Sequence, residues 1–122
     1  MQLLSQSLYD NHKMANTFKL KTKANVGVTT VGIYPAPAAT TTVVIGITLA
    51  NTSGSGVNVG VGVTRAGTTE DVKLLKNAPI PSGSSLEFMS GNKIVLEATD
   101  TVTVDSDTNN SVDASLTIME IT

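Results

Sequence analysis

VNVGVGVT, residues 57–64, sets a valine at every second position and a small or polar residue between. Side chains along a strand point alternately to its two faces. Val57, Val59, Val61 and Val63 therefore share one face, and Asn58, Gly60, Gly62 and Thr64 share the other. The valine face is built for a core. Two glycines on the opposite face leave bare backbone, which another backbone or side chain can approach closely. No helix follows them, so the stretch is not a phosphate-binding loop.

The same period runs outward in both directions. Upstream, TTTVVIGITLANTSGSG (residues 40–56) places Val43, Ile45, Ile47 and Leu49 on one face, with a small, partly apolar face opposite and a turn from Asn51 to Gly56. NVGVTTVGIYPAPAA (25–39) reads as a strand ended by Pro35 and Pro37, which cannot donate to a central ladder. Downstream, RAGTTED (65–71) is a charged turn, VKLLKN (72–77) a strand and APIPSGSS (78–85) a corner. LEFMSGNKIVLEA (86–98) predicts a hairpin around Ser90-Gly91-Asn92. DTVTVDS and SVDASLTIMEIT, joined by DTNN, predict another. PAATTTVVI from Pro37 and PSGSSLEFM from Pro81 share one order: proline, two small residues, two hydroxyl residues, then a strand. Such a segment suits a corner between sheets, because the hydroxyls can bond local backbone. The expected fold is all-β, an antiparallel β-sandwich (jelly-roll or Ig-like) of about eight strands. Val43, Ile45, Ile47, Val57, Val59, Val61, Val63, Leu116 and Ile118 are its expected core.

Residues 1–17 are read as an N-terminal arm and 18–122 as the sandwich domain. Leu3, Leu4 and Leu8 form a weak apolar stripe on a segment too short to hold a helix alone. From Phe18 the period becomes two, and Lys19, Lys21 and Lys23 fall on one face of a strand. Lysines so spaced guard an exposed edge against unwanted pairing, or meet an acidic partner. Leu3, Leu4, Leu8, Lys19, Lys21 and Lys23 are therefore the candidate subunit-contact residues.

Composition narrows the function. Only 15% of residues are charged, well below the usual ~25%. That fits either surface hidden against neighbours or plain coverage by small polar residues. A net charge of −2 offers nucleic acid no basic face. No apolar run approaches the ~18 residues of a membrane span. The first 13 residues lack the basic start and long apolar core of a secretion signal, so synthesis in the cytoplasm is expected. With no cysteine, disulfides are excluded.

Chemistry is equally sparse. His12 is the single histidine and lies in the arm, a poor place for a catalytic base. DSDTNNSVD (105–113) starts like a calcium loop with Asp105, Asp107 and Asn109. Asn110 then stands where glycine is needed and Leu116 where a bidentate glutamate is needed. A polar turn with Asn109-Asn110 in left-handed backbone is the simpler reading. Glu97 and Asp100 flank a turn and read as solvated. No catalytic, cofactor-binding or metal residues are assigned, no cofactor is expected, and the chain is read as no enzyme.

TVVIGITLANTSGSGVNVGVGV, LLKNAPIPSGSSLEFMSGNKIVLEATDTVTVDS and VDASLTIMEIT resemble a group of small virion structural proteins of tailed bacteriophages, of the marine, cyanobacterial-phage type. The likeness covers about residues 16–122. It runs through a Pro-Ala-Gly-Thr-Thr corner, a Leu-Ala-Asn-Thr-Ser turn and a Pro-Ala-Gly-Ser-Ser-Leu corner to a Lys-Ile-Val-Leu-Glu-Ala-Gly-Asp hairpin and a Leu-Glu-Ile ending. This chain departs at Pro37-Ala38-Ala39, which lacks the glycine, and at Thr99, where the pattern has one. The resemblance implies a non-enzymatic virion component, a capsid decoration or cement subunit, acting by repeated protein–protein contacts. Its partners would be copies of itself and other virion proteins (major capsid or neck/tail proteins), with no nucleic acid and no membrane. A neck, collar or tail accessory subunit is the alternative, and a receptor- or glycan-binding module is a third; the few aromatics and single histidine speak against the latter.

Overall fold

The valine alternation of residues 57–64 takes the form it predicts: all four valines are buried, and they form the centre of one sheet of a two-sheet sandwich. The structure is a computed structural model and describes residues 16–89 and 93–122. The strands are β1 (Asn16–Val26), β2 (Val31–Pro35), β3 (Thr41–Asn51), β4 (Val57–Thr64), β5 (Asp71–Ile80), β6 (Ser85–Phe88), β7 (Ile94–Leu96), β8 (Thr101–Ser106) and β9 (Val112–Ile121). Of the arm expected over residues 1–17, residues 1–15 lie outside the described residues, and Asn16 and Thr17 open β1.

One sheet has the order β1-β9-β3-β6, with β7 also on β3; the other is β2-β8-β4-β5. Every pairing is antiparallel. β6 and β7 run in the same direction along successive parts of β3, at Ile47–Ala50 and then Thr42–Val44, so they are one interrupted strand. The pairs β1·β9, β2·β8, β3·β6/β7 and β4·β5 are nested like a folded ribbon. That nesting is the jelly-roll form of the sandwich, not the Ig-like form.

The ribbon corrects two turns read from sequence. Residues 86–98 are not a hairpin, because β6 and β7 both pair with β3 rather than with each other. DTNN joins β8 of one sheet to β9 of the other, so it is a corner; Asn110 does take left-handed backbone there (φ 50°). The charged turn at 65–71 joins β4 to β5, which pair with each other. Both proline-led segments pass from sheet to sheet, from β2 to β3 after Pro37 and from β5 to β6 after Pro81.

Two core assignments also change. A bulge between Val44 and Gly46 shifts the register of β3 on β9. Before it Thr42 and Val44 are buried; after it Ile47, Leu49 and Asn51 are. Val43 pairs with Val95 and Met119 on the outer face and is half-buried, as is Ile45 within the bulge. A strict period of two cannot foresee this, because one extra residue reverses the faces beyond it. The other expected core residues are buried.

Left-handed backbone falls at Ala39 (φ 57°) and Gly83 (φ 73°), the third residues of the two proline-led corners, and at Thr99 (φ 66°). Only glycine adopts this conformation freely, and a β-branched residue there is strained. Ala39 and Thr99 are the two positions where the phage-protein pattern has glycine. Thr99→Gly and Ala39→Gly should each stabilise the fold by about 1 kcal/mol, Thr99→Gly the more, seen as a rise of about 4 °C in thermal melting. Val59→Asp, an unpaired charge in the core, should abolish cooperative melting.

Candidate interaction surface

β1 is an edge strand, paired with β9 on one side only. Residues opposite each other in a ladder share a face, so partners on β9 fix where β1 side chains point. Leu116 and Ile118 are buried and stand opposite Lys21 and Lys19; Ala114, also buried, stands opposite Lys23. The three candidate lysines therefore lie on the inner side of the edge. Phe18 and Leu20, opposite Met119 and Thr117, lie on the outer side. Phe18 is 68% exposed and Leu20 66%. The usual order, apolar in and polar out, is reversed on this strand.

The reversal has a local cause. Glu120 is buried between the sheets, where its Oε1 is 2.8 Å from Lys19 Nζ and its Oε2 accepts the Tyr34 hydroxyl at 2.5 Å. Tyr34 Oη also lies 2.9 Å from Thr42 Oγ1. Lys19, supported by the Tyr34 hydroxyl, holds the Glu120 carboxyl below its ordinary range. Burial and the neighbouring carboxylate push the Tyr34 phenol up to about 12. Lys19 thus serves the fold by satisfying a buried acid, and the main chain of β1 keeps one side unpaired.

Beyond β1, an apolar row crosses the outer face of the same sheet. Val95 pairs with Val43, Val43 with Met119 and Met119 with Phe18. Ile121 and Leu20 flank the row, and Val95 is 61% exposed. Toward the far end of this face the side chains become small: Thr22, Ala24, Thr48, Ala50 and Ser115 line a shallow groove with Asp113 at its side.

The outer face of the other sheet is the opposite in character. Gly60 and Gly62 leave the backbone open, and carboxylates lie over it: a Cβ at Gly62 would be 2.5 Å from Asp71 Oδ1, and one at Gly60 2.7 Å from Asp105 Oδ1. Lys73 Nζ bridges the two acids, at 2.8 Å from Asp71 and 3.3 Å from Asp105. Thr103 donates to Asp71 and Thr30 to Asp105. Burial pushes the Asp71 carboxyl up, but Lys73 and Thr103 outweigh it and hold it low; Asp71 in turn raises Lys73. The close approach expected at these glycines is made by paired charges.

The remaining acids are structural too. Asp100 is 2% exposed, which corrects its reading as solvated. It accepts the Ala66 and Glu97 amides at 2.9 Å each and pairs with Arg65, tying the 65–71 turn to the connection before β8. These donors overcome the opposing effect of burial and lower its pKa. Arg65 also pairs with exposed Glu97. Asp105, Asp107 and Asp113 diverge: Asp107 accepts the Asn58 amide and Asp113 the Asn25 amide, each capping a different segment. Among the described residues no three His, Cys, Asp or Glu side chains gather as metal ligands would. Leu3, Leu4, Leu8 and His12 lie outside the described residues.

Sequence reasoning missed the apolar row because it placed Val43 in the core. The signal available was the edge itself, where lysine alternation turns Phe18 and Leu20 outward once the lysines are given an inner partner.

No protein-family model matches the chain, and no curated protein sequence is similar to it. Among solved structures, a chain of the Bacillus endospore appendages, which form a novel family of disulfide-linked pili, aligns over 89% of this chain and 87% of its own, with TM-score 0.55 and 15% identity. A chain of the acid-stable capsid of the Helicobacter pylori bacteriophage KHP30 aligns over 90% of this chain and 94% of its own, with TM-score 0.49 and 12% identity. The first likeness is one of fold. The disulfide chemistry of those pili is closed to a chain without cysteine.

Two outcomes follow from the charges. Asp71, Asp100 and Glu120 have folded-state values below their unfolded ones, so their contribution is present above about pH 4 and is lost as pH falls through the lower folded values. Tyr34 is raised, so its contribution is present below about pH 10 and is lost as pH climbs toward 12. Denaturant midpoints across pH should fall at both ends, and Tyr34→Phe should shrink the alkaline fall. Gly62→Ala should cost about 1–3 kcal/mol, because the added carbon would also sit 2.9 Å from the Val72 carbonyl oxygen.

Proposed function

We propose that the chain is a non-enzymatic structural subunit of a bacteriophage particle, a decoration or cement protein that attaches in repeated copies to the capsid. The observation that carries this reading is the uncovered apolar row on the β1-β9-β3-β7 face, running out to a strand edge with a free side. Contiguous exposed apolar surface of this kind marks sites of protein contact. A free β edge adds main-chain donors and acceptors that a partner can use. The other outer face supports the same reading from the opposite direction. There Asp71, Lys73 and Asp105 are paired with one another, a surface suited to solvent.

The phage assignment is supported by the resemblance across residues 16–122. Its glycine positions coincide with Ala39 and Thr99, both in left-handed backbone. A pattern whose glycines fall where this backbone demands them describes the same corners. The pilus chain supports the idea that such a sandwich serves in an assembled polymer. The non-enzymatic reading is supported by the carboxylates, since Asp71, Asp100 and Glu120 are each held by structural donors.

Localising the subunit by cryo-electron microscopy of an intact particle, alongside Phe18→Asp and Leu20→Asp variants, tests the proposal. Both side chains are exposed, so melting should hold within a few degrees while particle occupancy falls at least tenfold. Full occupancy with either variant would remove the row from the contact, and absence of the chain from particles would end the phage reading.

A further inference from the structure

The two flanks of the sandwich, where the sheets' edge strands face each other, are finished differently. On the β1/β2 flank the inward positions of β1 are Lys19, Lys21 and Lys23, and Lys19 closes onto Glu120. On the β5/β7 flank the inward positions are apolar. Val72 stands opposite buried Val63, so it points between the sheets, yet it is 48% exposed. With Leu74, Ile94 and Leu96 it lines an open cleft of about 430 Å³, whose lining also includes Arg65, Glu97 and Asp100. That volume lies within the ~300–1,000 Å³ range of clefts that hold ligands. An inward-facing valine with half its surface uncovered is a place left for apolar side chains.

We infer that the cleft receives the N-terminal segment of a second copy of this chain, with Leu3, Leu4 and Leu8 as the inserted side chains. Three observations select this occupant. The segment has no charged side chain before Asp10 and carries Leu3, Leu4 and Leu8 among small polar residues, side chains that suit a valine- and leucine-lined cleft. It enters the fold at Asn16, opposite Ile121, which pairs with Thr41; Leu96 pairs with Thr42, so arm and cleft open near the same end of the sandwich. The 15 residues before Asn16 could extend up to about 50 Å, enough to pass beyond the β1/β2 flank onto a neighbour. The arm departs from one flank and the cleft opens on the other, so a neighbour packed flank to flank brings its own cleft beside the arm. Such a contact is heterologous and repeats from copy to copy, closing into a ring or continuing as a row. It deepens the structural-subunit reading by naming one partner as the chain itself, and it rests on that reading only for its setting.

The absence of native cysteine makes a cross-linking test clean. Full-length Leu4→Cys protein is mixed with size-tagged full-length Val72→Cys protein and oxidised gently. The expected product is a mixed disulfide dimer, at least fivefold over the yield with Thr22→Cys, on the outer face of the β1-β9-β3 sheet, in place of Val72→Cys. The Leu4→Cys/Val72→Cys double variant should give a ladder of linked chains. Equal yield with the control, or a double variant that closes only within single chains, would overturn the inference. A second measurement is independent of thiols. Val72→Asp should lower the mass of the assembled species by light scattering, with melting preserved, and an unchanged mass would count against it. Failure here leaves particle localisation untouched, so the two readings fall separately.

Discussion

The register of β1 on β9 is the constraint on which the surface of this protein depends. Side chains alternate with a period of two, so a slip by one residue would carry Phe18 and Leu20 to the interior and turn the lysines outward. Two devices hold the observed register. Lys19 meets the buried Glu120 carboxylate, which would otherwise be an unpaired charge between the sheets. Farther along, a bulge between Lys23 and Val26 puts Asn25 in left-handed backbone, with its amide on Asp113, and returns Val26 to the core opposite Val112. A polar anchor at one end and an apolar one at the other fix the strand between them.

From that register follows the contrast between the two outer faces. On one, Gly60 and Gly62 let Asp71, Asp105 and Lys73 settle onto the backbone as a paired set. On the other, Val95, Val43, Met119 and Phe18 form one apolar row across β7, β3, β9 and β1. This row is the surface on which the proposed contact with a neighbour rests. The low charge of the sequence, 15% of residues, has its counterpart here. Charge is spent on turns, on one face and on one edge.

Much of this was legible in the sequence. The valines of β4, the proline-led corners between sheets and the left-handed Asn110 are local features, set by residues close together in the chain. What escaped depended on pairing between distant segments. The bulge after Val44 reverses the faces of β3, and nothing between Thr41 and Asn51 announces it except Gly46. β6 and β7 look like a hairpin because they are neighbours in sequence, yet each pairs with β3. Asp100 looks like a solvated turn acid until Arg65, 35 residues away, comes to meet it. On the surface, Lys19, Lys21 and Lys23 were visible as a set, but their inner orientation needed Glu120 and Tyr34 from two other strands.

Hydrogen exchange along β1 measures the central claim most directly, namely that this edge and the face beside it are completed by neighbours. In the isolated chain, β1 amides that pair with β9 should exchange slowly and those aimed at the free side fast, giving an alternating pattern from Phe18 to Lys23. In the assembled particle the fast set of β1 should become protected, while the amides already paired with β9 change little. An alternating pattern that persists unchanged in the particle would contradict the account, since the edge would then be an exposed margin that nothing covers.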